Sequence, residues 1–327
     1  MKVSILMTTY NQEKFVTQAI DSILMQETSF NYEVVISEDA SSDKTRDIVL
    51  EFQKRYPDKI RLLLRDRVDA ERERLKGIGG KGGFVNGLKA CKGMYVALLD
   101  GDDYWTDAKK LQKQVDFLEA HDECVICFHN ATILSEAGEE DALLCPPDQK
   151  ETSTIEDLLA GNFMFSGSVL FRRGLFDELP GWFNTTRTGD WALHAINAKY
   201  GKIGYLNEVM ATYRVHAGGF WSLRQRSRQL RTSIEVLGNI DRDLGFKYRA
   251  NVRSAKTRFL FELAELYLRE GHCRAALIVA KQGLRLSRGR HKGFLSLWLR
   301  LQTPGLYRGF TTVKKARNHW RLGTPAS

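Results

Sequence analysis

Over its first 130 residues the chain alternates short apolar runs with stretches in which apolar side chains return every three or four positions. The runs are Val3–Met7, Glu33–Ser37, Ile60–Leu64, Tyr95–Leu99 and Val125–Phe128. Runs of this length, bounded by turn-forming residues, suit strands buried on both faces. Between the first two, Val16, Ala19, Ile20, Ile23 and Leu24 fall on one face of a helix. Ile48, Val49 and Phe52 do the same after Ser41-Ser42-Asp43, whose side chains suit a helix start, and Pro57 closes that helix. Strand and helix alternating in this order predict an α/β fold, a mostly parallel sheet with flanking helices.

Gly77-Ile78-Gly79-Gly80-Lys81-Gly82-Gly83 predicts a glycine-rich loop, followed by a short helix, Phe84–Ala90. Residues 132–150, polar from Ser135 to Asp141 and then Pro146-Pro147, predict a surface excursion. Gly167–Phe171 reads as a strand, Asp190–Tyr200 as a helix, and Ile203–Leu206 and Val209–Tyr213 as two short strands. From about Leu223 onward the pattern is helical. Phe259, Leu260, Leu263, Leu266 and Tyr267, then Ala275, Ala276, Ile278, Val279 and Leu284, flank Arg269-Glu270-Gly271-His272 as a helical hairpin would. A single hairpin falls short of the roughly three repeats that a helical solenoid needs. The expected division is an α/β domain over 1–222 and a basic helical region over 223–327.

Charge sharpens that division. Residues 224–327 hold 23 Lys and Arg against 6 Asp and Glu, a net +17, and residues 1–223 hold 26 against 34, a net −8. A basic back half suits phosphate-rich material such as anionic lipid. Phe294, Leu295, Leu297, Trp298, Leu299 and Leu301 lie beside Arg288, Arg290, Lys292 and Arg300, a mixture suited either to a lipid headgroup boundary or to a packed helical subdomain. The opening Met1–Met7 is too short for a secretory core, and no apolar run approaches the ~20 residues of a spanning helix. The chain is therefore expected in the cytoplasm, at most peripheral on the inner face of the cell membrane. The five cysteines form an odd set, and Cys124-Val125-Ile126-Cys127 lies inside an apolar run, which favours buried thiols over zinc or redox work.

The sharpest chemical signal is Val96-Ala97-Leu98-Leu99-Asp100-Gly101-Asp102-Asp103, an apolar strand ending in three carboxylates within four positions. Ligands bind at the carboxyl ends of strands in open α/β sheets, and clustered carboxylates there suit Mg²⁺ or Mn²⁺ shared with substrate phosphates. The competing reading is an acidic turn that starts a helix. Glu38-Asp39-Ala40-Ser41-Ser42-Asp43 ends the second strand in the same way, and Thr8-Thr9-Tyr10-Asn11 ends the first. Three neighbouring strand ends would then surround one crevice with hydroxyl, amide and carboxylate groups.

In these motifs the chain resembles the family 2 glycosyltransferases, inverting enzymes of GT-A fold that use nucleotide-sugar donors. Thr8-Thr9-Tyr10-Asn11-Gln12 is similar to that family's P-T-Y-N opening, with Thr8 in place of proline. Glu38 to Thr45 resembles its D-D-G-S-x-D-x-T segment, Leu99 to Asp103 its L-D-x-D-D, Gly189-Asp190-Trp191 its E-D or G-D motif, and Tyr213-Arg214-Val215-His216 its Y-R-x-H. The resemblance implies that Thr9, Tyr10, Asp39, Asn86, Asp100 and Arg214 bind the donor, Asp39 at the base and Asp100 at the ribose. It implies a divalent metal, Mn²⁺ or Mg²⁺, at Asp102 and His216, and Asp190 as the general base. The partners implied are a nucleotide sugar and a glycan or lipid-linked acceptor, in bacterial cell-surface polysaccharide biosynthesis. Where the family carries an asparagine-glycine element and a basic residue ahead of the acidic strand, the counterparts here are Asn86 and Lys89, with Gly77–Gly83 as a mobile loop over the donor.

Trp105, Trp182, Trp191, Phe220 and Trp221 lie near the proposed site in sequence, and Trp191 and Trp221 are the candidates for acceptor contact. Two other classes compete. A nucleic-acid-binding protein would use the +17 region, but the arginines are not clustered with base-stacking aromatics. A metal-dependent nucleotidyltransferase would share the carboxylates, yet needs a phosphate-gripping glycine-rich loop after the first strand, where Thr8–Gln12 stands.

Overall fold

A computed structural model describes residues 1–135, 138–216 and 225–302. The strands are β1 Val3–Thr9, β2 Tyr32–Glu38, β3 Ile60–Leu64, β4 Tyr95–Asp100, β5 Tyr104–Trp105, β6 Cys124–Ser135, β7 Gly138–Leu143, β8 Thr152–Ser153, β9 Leu170–Arg172 and β10 Lys202–Val215. They form one sheet of order β3-β2-β1-β4-β9-β6-β10-β5, with β7 on β6 and β8 on β10. The pairs β3/β2, β2/β1, β1/β4 and β6/β10 are parallel, and β9 runs antiparallel between β4 and β6. The sheet is thus mostly parallel, with helices covering it, as the alternation of strand and helix predicts.

Helices α1 Val16–Leu24, α2 Thr45–Arg55, α3 Arg67–Leu75, α4 Lys81–Ala90, α5 Lys110–Ala120, α6 Ile155–Ala160 and α7 Asp190–Asn197 intersperse the strands. Ile20 and Ile23 of α1, Val49 and Phe52 of α2 and Leu111 and Val115 of α5 pack in one core with Ile5, Met7, Val34 and Leu99 of the sheet. Gly87 of α4 lies so close to β1 that a Cβ there would run into Leu6 Cδ1.

Several elements differ from the expected ones for identifiable reasons. β10 is one strand instead of two, because bulges between Leu206 and Ala211 absorb the polar Asn207-Glu208 interruption. β6 continues to Ser135, into the expected surface excursion, because β10 and β7 supply its hydrogen-bond partners. Helix α3 carries no apolar stripe, with Ala70 its buried residue, and is held instead by Asp66, whose side chain accepts from the Val68 and Asp69 N–H groups. The glycine-rich stretch is not a free loop: Gly80, at φ +78°, opens α4, and Lys81-Gly82-Gly83 are its first turn. Cys124 and Cys127 are buried thiols, and burial pushes Cys127 up to about 12.

The chain divides into two compact units, residues 1–224 with 238–247, and residues 225–237 with 248–327. The second is helical, with α8 Arg226–Asp243 shared, then α9 Arg249–Arg269, α10 Cys273–Leu286 and α11 Lys292–Gln302. Its core joins Leu260, Leu263 and Ala264 of α9, Ala276, Val279 and Ala280 of α10, and Phe294 and Leu297 of α11. Phe294 and Leu297, expected among residues suited to a headgroup boundary, are instead core, because Gly283 leaves room for the Phe294 ring. Among the described residues no helix is long and apolar enough to cross a membrane.

Candidate functional site

The parallel register sets the site. Thr8 lies beside Ser37 of β2 and Asp100 of β4, so the three motif-bearing strands end together. The Thr8 hydroxyl donates to Asp100 Oδ1 at 2.6 Å, Gly101 N–H to Thr8 O at 2.9 Å and Asp39 N–H to Thr9 O at 3.0 Å. A Cβ on Gly101 would lie 2.5 Å from Gln12 Oε1 and 2.8 Å from Thr9 Oγ1, so glycine is what lets the acidic turn press against the end of β1. The Thr9 and Ser37 hydroxyls are buried without a partner, an arrangement that favours a polar ligand at this edge. Asn11 and Ser41-Ser42 join the first two loops: Asn11 N–H donates to Ser41 Oγ and Ser42 N–H to Asn11 Oδ1.

The end of β10 closes on the acidic turn. Asp103, 2% exposed, accepts from the Arg214 N–H at 2.7 Å, and the Arg214 guanidinium donates to Asp102 O at 2.6 Å while lying over the Phe15 and Tyr104 rings. This anchoring brings His216 Nε2 to 3.0 Å from Asp102 Oδ2, with Phe15 against the imidazole at 4.6 Å. Burial, then the Asp102 charge, pushes Asp100 up to about 7, and the same causes raise Asp103 well above the carboxylate range. Such a cluster gains from a cation. Among the described residues no three His, Cys, Asp or Glu side chains form a metal cage. Asp102 and His216 fit a site completed by substrate oxygens, since 3.0 Å is about the spacing of adjacent donors on a hard divalent ion with ~2.1 Å bonds.

Asp39, 5% exposed, is met by two arginines: Arg65 Nη1 at 3.0 Å from Oδ1 and Arg74 Nη2 at 3.2 Å from Oδ2. Burial raises its pKa and the two guanidinium charges oppose the rise. Arg65 also pairs with Glu73 at 2.7 Å, and Glu73 Oε2 accepts from the Gly82 N–H, which ties α3 to the start of α4. The Arg74 guanidinium stacks 3.9 Å over the ring of Tyr10, itself 40% exposed. Sequence patterning missed both arginines, because α3 has no apolar period. Their signal was the charge density of residues 65–74.

Asp190 is the first residue of α7, after Gly189. Its Oδ2 accepts from Asn162 Nδ2 at 3.1 Å, and no side chain caps the helix, so Asp190 is not spent as a cap. Its charge contributes to the rise of Asp100, which puts the two carboxylates within electrostatic reach. The cation beside it is Lys81: a Cβ on Gly189 would lie 3.0 Å from Lys81 Nζ. Burial lowers Lys81 to about 8, with Asp190 and Glu73 opposing the fall. Neither expected counterpart takes this place. Lys89 is exposed, and Asn86 lines a hollow with Ser37, Leu62–Leu64, Arg65, Asp66 and Asp69.

Trp191 is a core residue, 5% exposed with its indole N–H donating to Leu158 O, which removes it as an acceptor contact. Trp105 is likewise buried, donating to Gly167 O, and Trp182 donates to Asp243. Trp221 and Phe220 lie outside the described residues.

Comparison with known proteins places this geometry in context. The family model "Glycosyl transferase family 2" matches residues 4–179, more than half of the chain. An uncharacterised Mycobacterium tuberculosis protein is 39% identical over 220 residues, 67% of this chain and 60% of that protein. A glycosyltransferase of Escherichia coli, WfgD, named for glucosyl transfer from UDP-Glc to α-D-GlcNAc-diphosphoundecaprenol, is 38% identical over 116 residues, 36% of this chain and 40% of its own. The chain therefore spans about 60% of the length of the first of these relatives. Among solved structures, Staphylococcus aureus TarS 1–349 with UDP-GlcNAc shares the fold at a TM-score of 0.56 and 17% identity, over 94% of this chain and 92% of that one. The mannosyltransferase PcManGT of Pyrobaculum calidifontis, with GDP-Man and Mn²⁺, does so at 0.55 and 18%, over 98% and 88%.

Proposed function

We propose that this chain, which belongs to glycosyl transferase family 2, moves a sugar from a nucleoside-diphosphate donor to a hydroxyl of a glycan or lipid-linked acceptor, with inversion at the anomeric carbon. The observation that carries the reading is the pairing of Asp102 with His216 at 3.0 Å, beside Asp100 and within electrostatic reach of Asp190. That pairing supports a metal position on the donor side of the site, with the Asp190 carboxylate as the base. WfgD, named for transfer to a diphosphoundecaprenol-linked acceptor, supports the lipid-linked class and cell-surface polysaccharide synthesis as the setting. PcManGT with Mn²⁺ supports the choice of metal.

In this reading Tyr10, Thr9 and Asp39 receive the nucleoside base, Asp100 the ribose, and Arg214 holds the acidic turn in place beneath the diphosphate. Arg65 and Arg74 orient Asp39. Asn86 stays a donor-side candidate through its hollow beside Ser37. A divalent ion at Asp102 and His216 would offset the charge that develops on the leaving diphosphate. Asp190 takes the proton of the acceptor hydroxyl as that oxygen bonds to the anomeric carbon. The bond from that carbon to the diphosphate oxygen breaks, and its electron pair leaves with the nucleotide. Lys81 keeps a positive charge beside the base as the proton moves. Back-side attack and one displacement require inversion.

The test is Asp190→Asn. Turnover is expected to fall at least about a hundredfold, the ordinary scale of a general base, with donor affinity kept. The α7 N-terminus has no side-chain cap to lose, so circular dichroism should show the helices of the variant intact. Full activity, or retention of anomeric configuration in the product, overturns the reading.

A further inference from the structure

We propose that the outer face of α10 is a docking surface for an anionic phospholipid bilayer. From Gly271 to Ser327 the sequence carries 12 Lys and Arg and not one Asp or Glu. The fold turns this composition into a surface. Arg274, Ile278, Lys281 and Arg285, with Arg288 just beyond the helix, are spaced by four, three, four and three residues and are all exposed. That spacing keeps them on one stripe, about 21 Å long at 1.5 Å per residue. The opposite face, Ala276, Val279, Ala280 and Gly283, is spent on the helical core. None of the four cations has an ion pair among the described residues.

A carboxylate-free row of cations around a half-exposed isoleucine fits a planar, multivalent anionic surface with an apolar layer beneath it. Arginine and lysine meet the headgroup phosphates, and Ile278, 52% exposed, reaches the acyl boundary. Nucleic acid is the weaker occupant, because the stripe offers no aromatic side chain on which a base could stack. The surface also differs from the one expected on α11, whose Phe294 and Leu297 are buried. It uses no residue of the catalytic unit, so its failure would leave the transferase assignment untouched.

The test uses the full chain, sedimented with vesicles of phosphatidylcholine alone or mixed with phosphatidylglycerol. A variant carrying R274Q, K281Q, R285Q and R288Q is compared with a charge-matched control, K54Q, K92Q, K109Q and K202Q, on exposed positions of the catalytic unit. Each basic residue near an anionic surface is worth about fivefold in partitioning, so the stripe variant should bind phosphatidylglycerol vesicles at least about tenfold more weakly. The control should change little, and added salt should weaken binding of the parent. Ile278→Asp, which puts one carboxylate at the centre of the stripe, should lower binding on its own. Circular dichroism verifies that each variant keeps its helices. Equal binding by stripe variant and parent overturns the proposal, as does equal binding to neutral vesicles or a preference for RNA over vesicles.

Discussion

At the scale of single residues, the candidate site gathers carboxylates whose charge burial penalises, Asp100 and Asp103 most of all. Asp102 separates two roles cleanly, since its backbone carbonyl serves Arg214 while its carboxylate serves His216. Asp102→Asn therefore keeps the anchoring of β10 and removes the charge that a metal needs. Calorimetry should show nucleoside-diphosphate binding that Mn²⁺ no longer tightens, on a chain that still folds; parent-like tightening would move the metal elsewhere. Lys81 makes a contrary prediction for stability. Its pKa of about 8 lies below the ~10.4 of an unfolded lysine, so between these values the unfolded chain binds more protons and stability rises with pH. Below about 8 the full penalty stands, on the order of 3 kcal/mol. Lys81→Met should thus stabilise the protein at neutral pH in urea titrations, flatten the alkaline rise, and lower transfer by about tenfold or more. A less stable variant at neutral pH would mean that the ammonium has a strong partner in the fold.

At the scale of elements, patterning located β1, β2 and β4 because both faces of a central parallel strand are apolar, and the edge strand β3 by its own short apolar run; parallel pairing then forces their ends to coincide. The motifs at those ends were legible for the same reason. His216 came to Asp102 through a contact between residues 114 apart in sequence, which the motif resemblance anticipated and periodicity alone could not. What stayed hidden was held by charge: α3 rests on the Asp66 cap and the Arg65–Glu73 pair, so Arg65, Arg74 and Lys81 lay in stretches that read as loop. Trp191 misled because an aromatic residue beside a motif looks the same whether it faces a sugar or the core. The acidic turn itself depends on Gly101. Gly101→Ala would drive a methyl group into Thr9 and Gln12, forcing the turn off the end of β1. The expected cost is about 1–3 kcal/mol with most activity lost. Chemical denaturation and transfer assays check both, and an unaffected variant would show that the turn has room to move.

At the scale of the whole molecule, the candidate site and the proposed docking stripe fall in different parts of the chain. The family model ends at residue 179, the candidate site ends at His216, and the carboxylate-free segment begins at Gly271. A transferase acting on a lipid-linked acceptor works on a substrate confined to two dimensions, so holding the enzyme on that surface raises the local acceptor concentration without changing a single active-site contact. Removing the α10 charges should then act on only one kind of assay. With the acceptor embedded in phosphatidylglycerol vesicles, the variant carrying R274Q, K281Q, R285Q and R288Q should lose about tenfold or more in kcat/KM, and the loss should shrink as salt weakens the parent as well. Donor hydrolysis in free solution, which needs only the strand-end site, should stay at the parent level. Asp190→Asn should behave in the opposite way, failing in transfer to either kind of acceptor whatever the vesicle composition. A stripe variant that hydrolyses donor poorly in solution would tie α10 to the folding or geometry of the catalytic unit, and one that transfers normally on vesicles would leave the basic helices without a part in bringing enzyme and acceptor together.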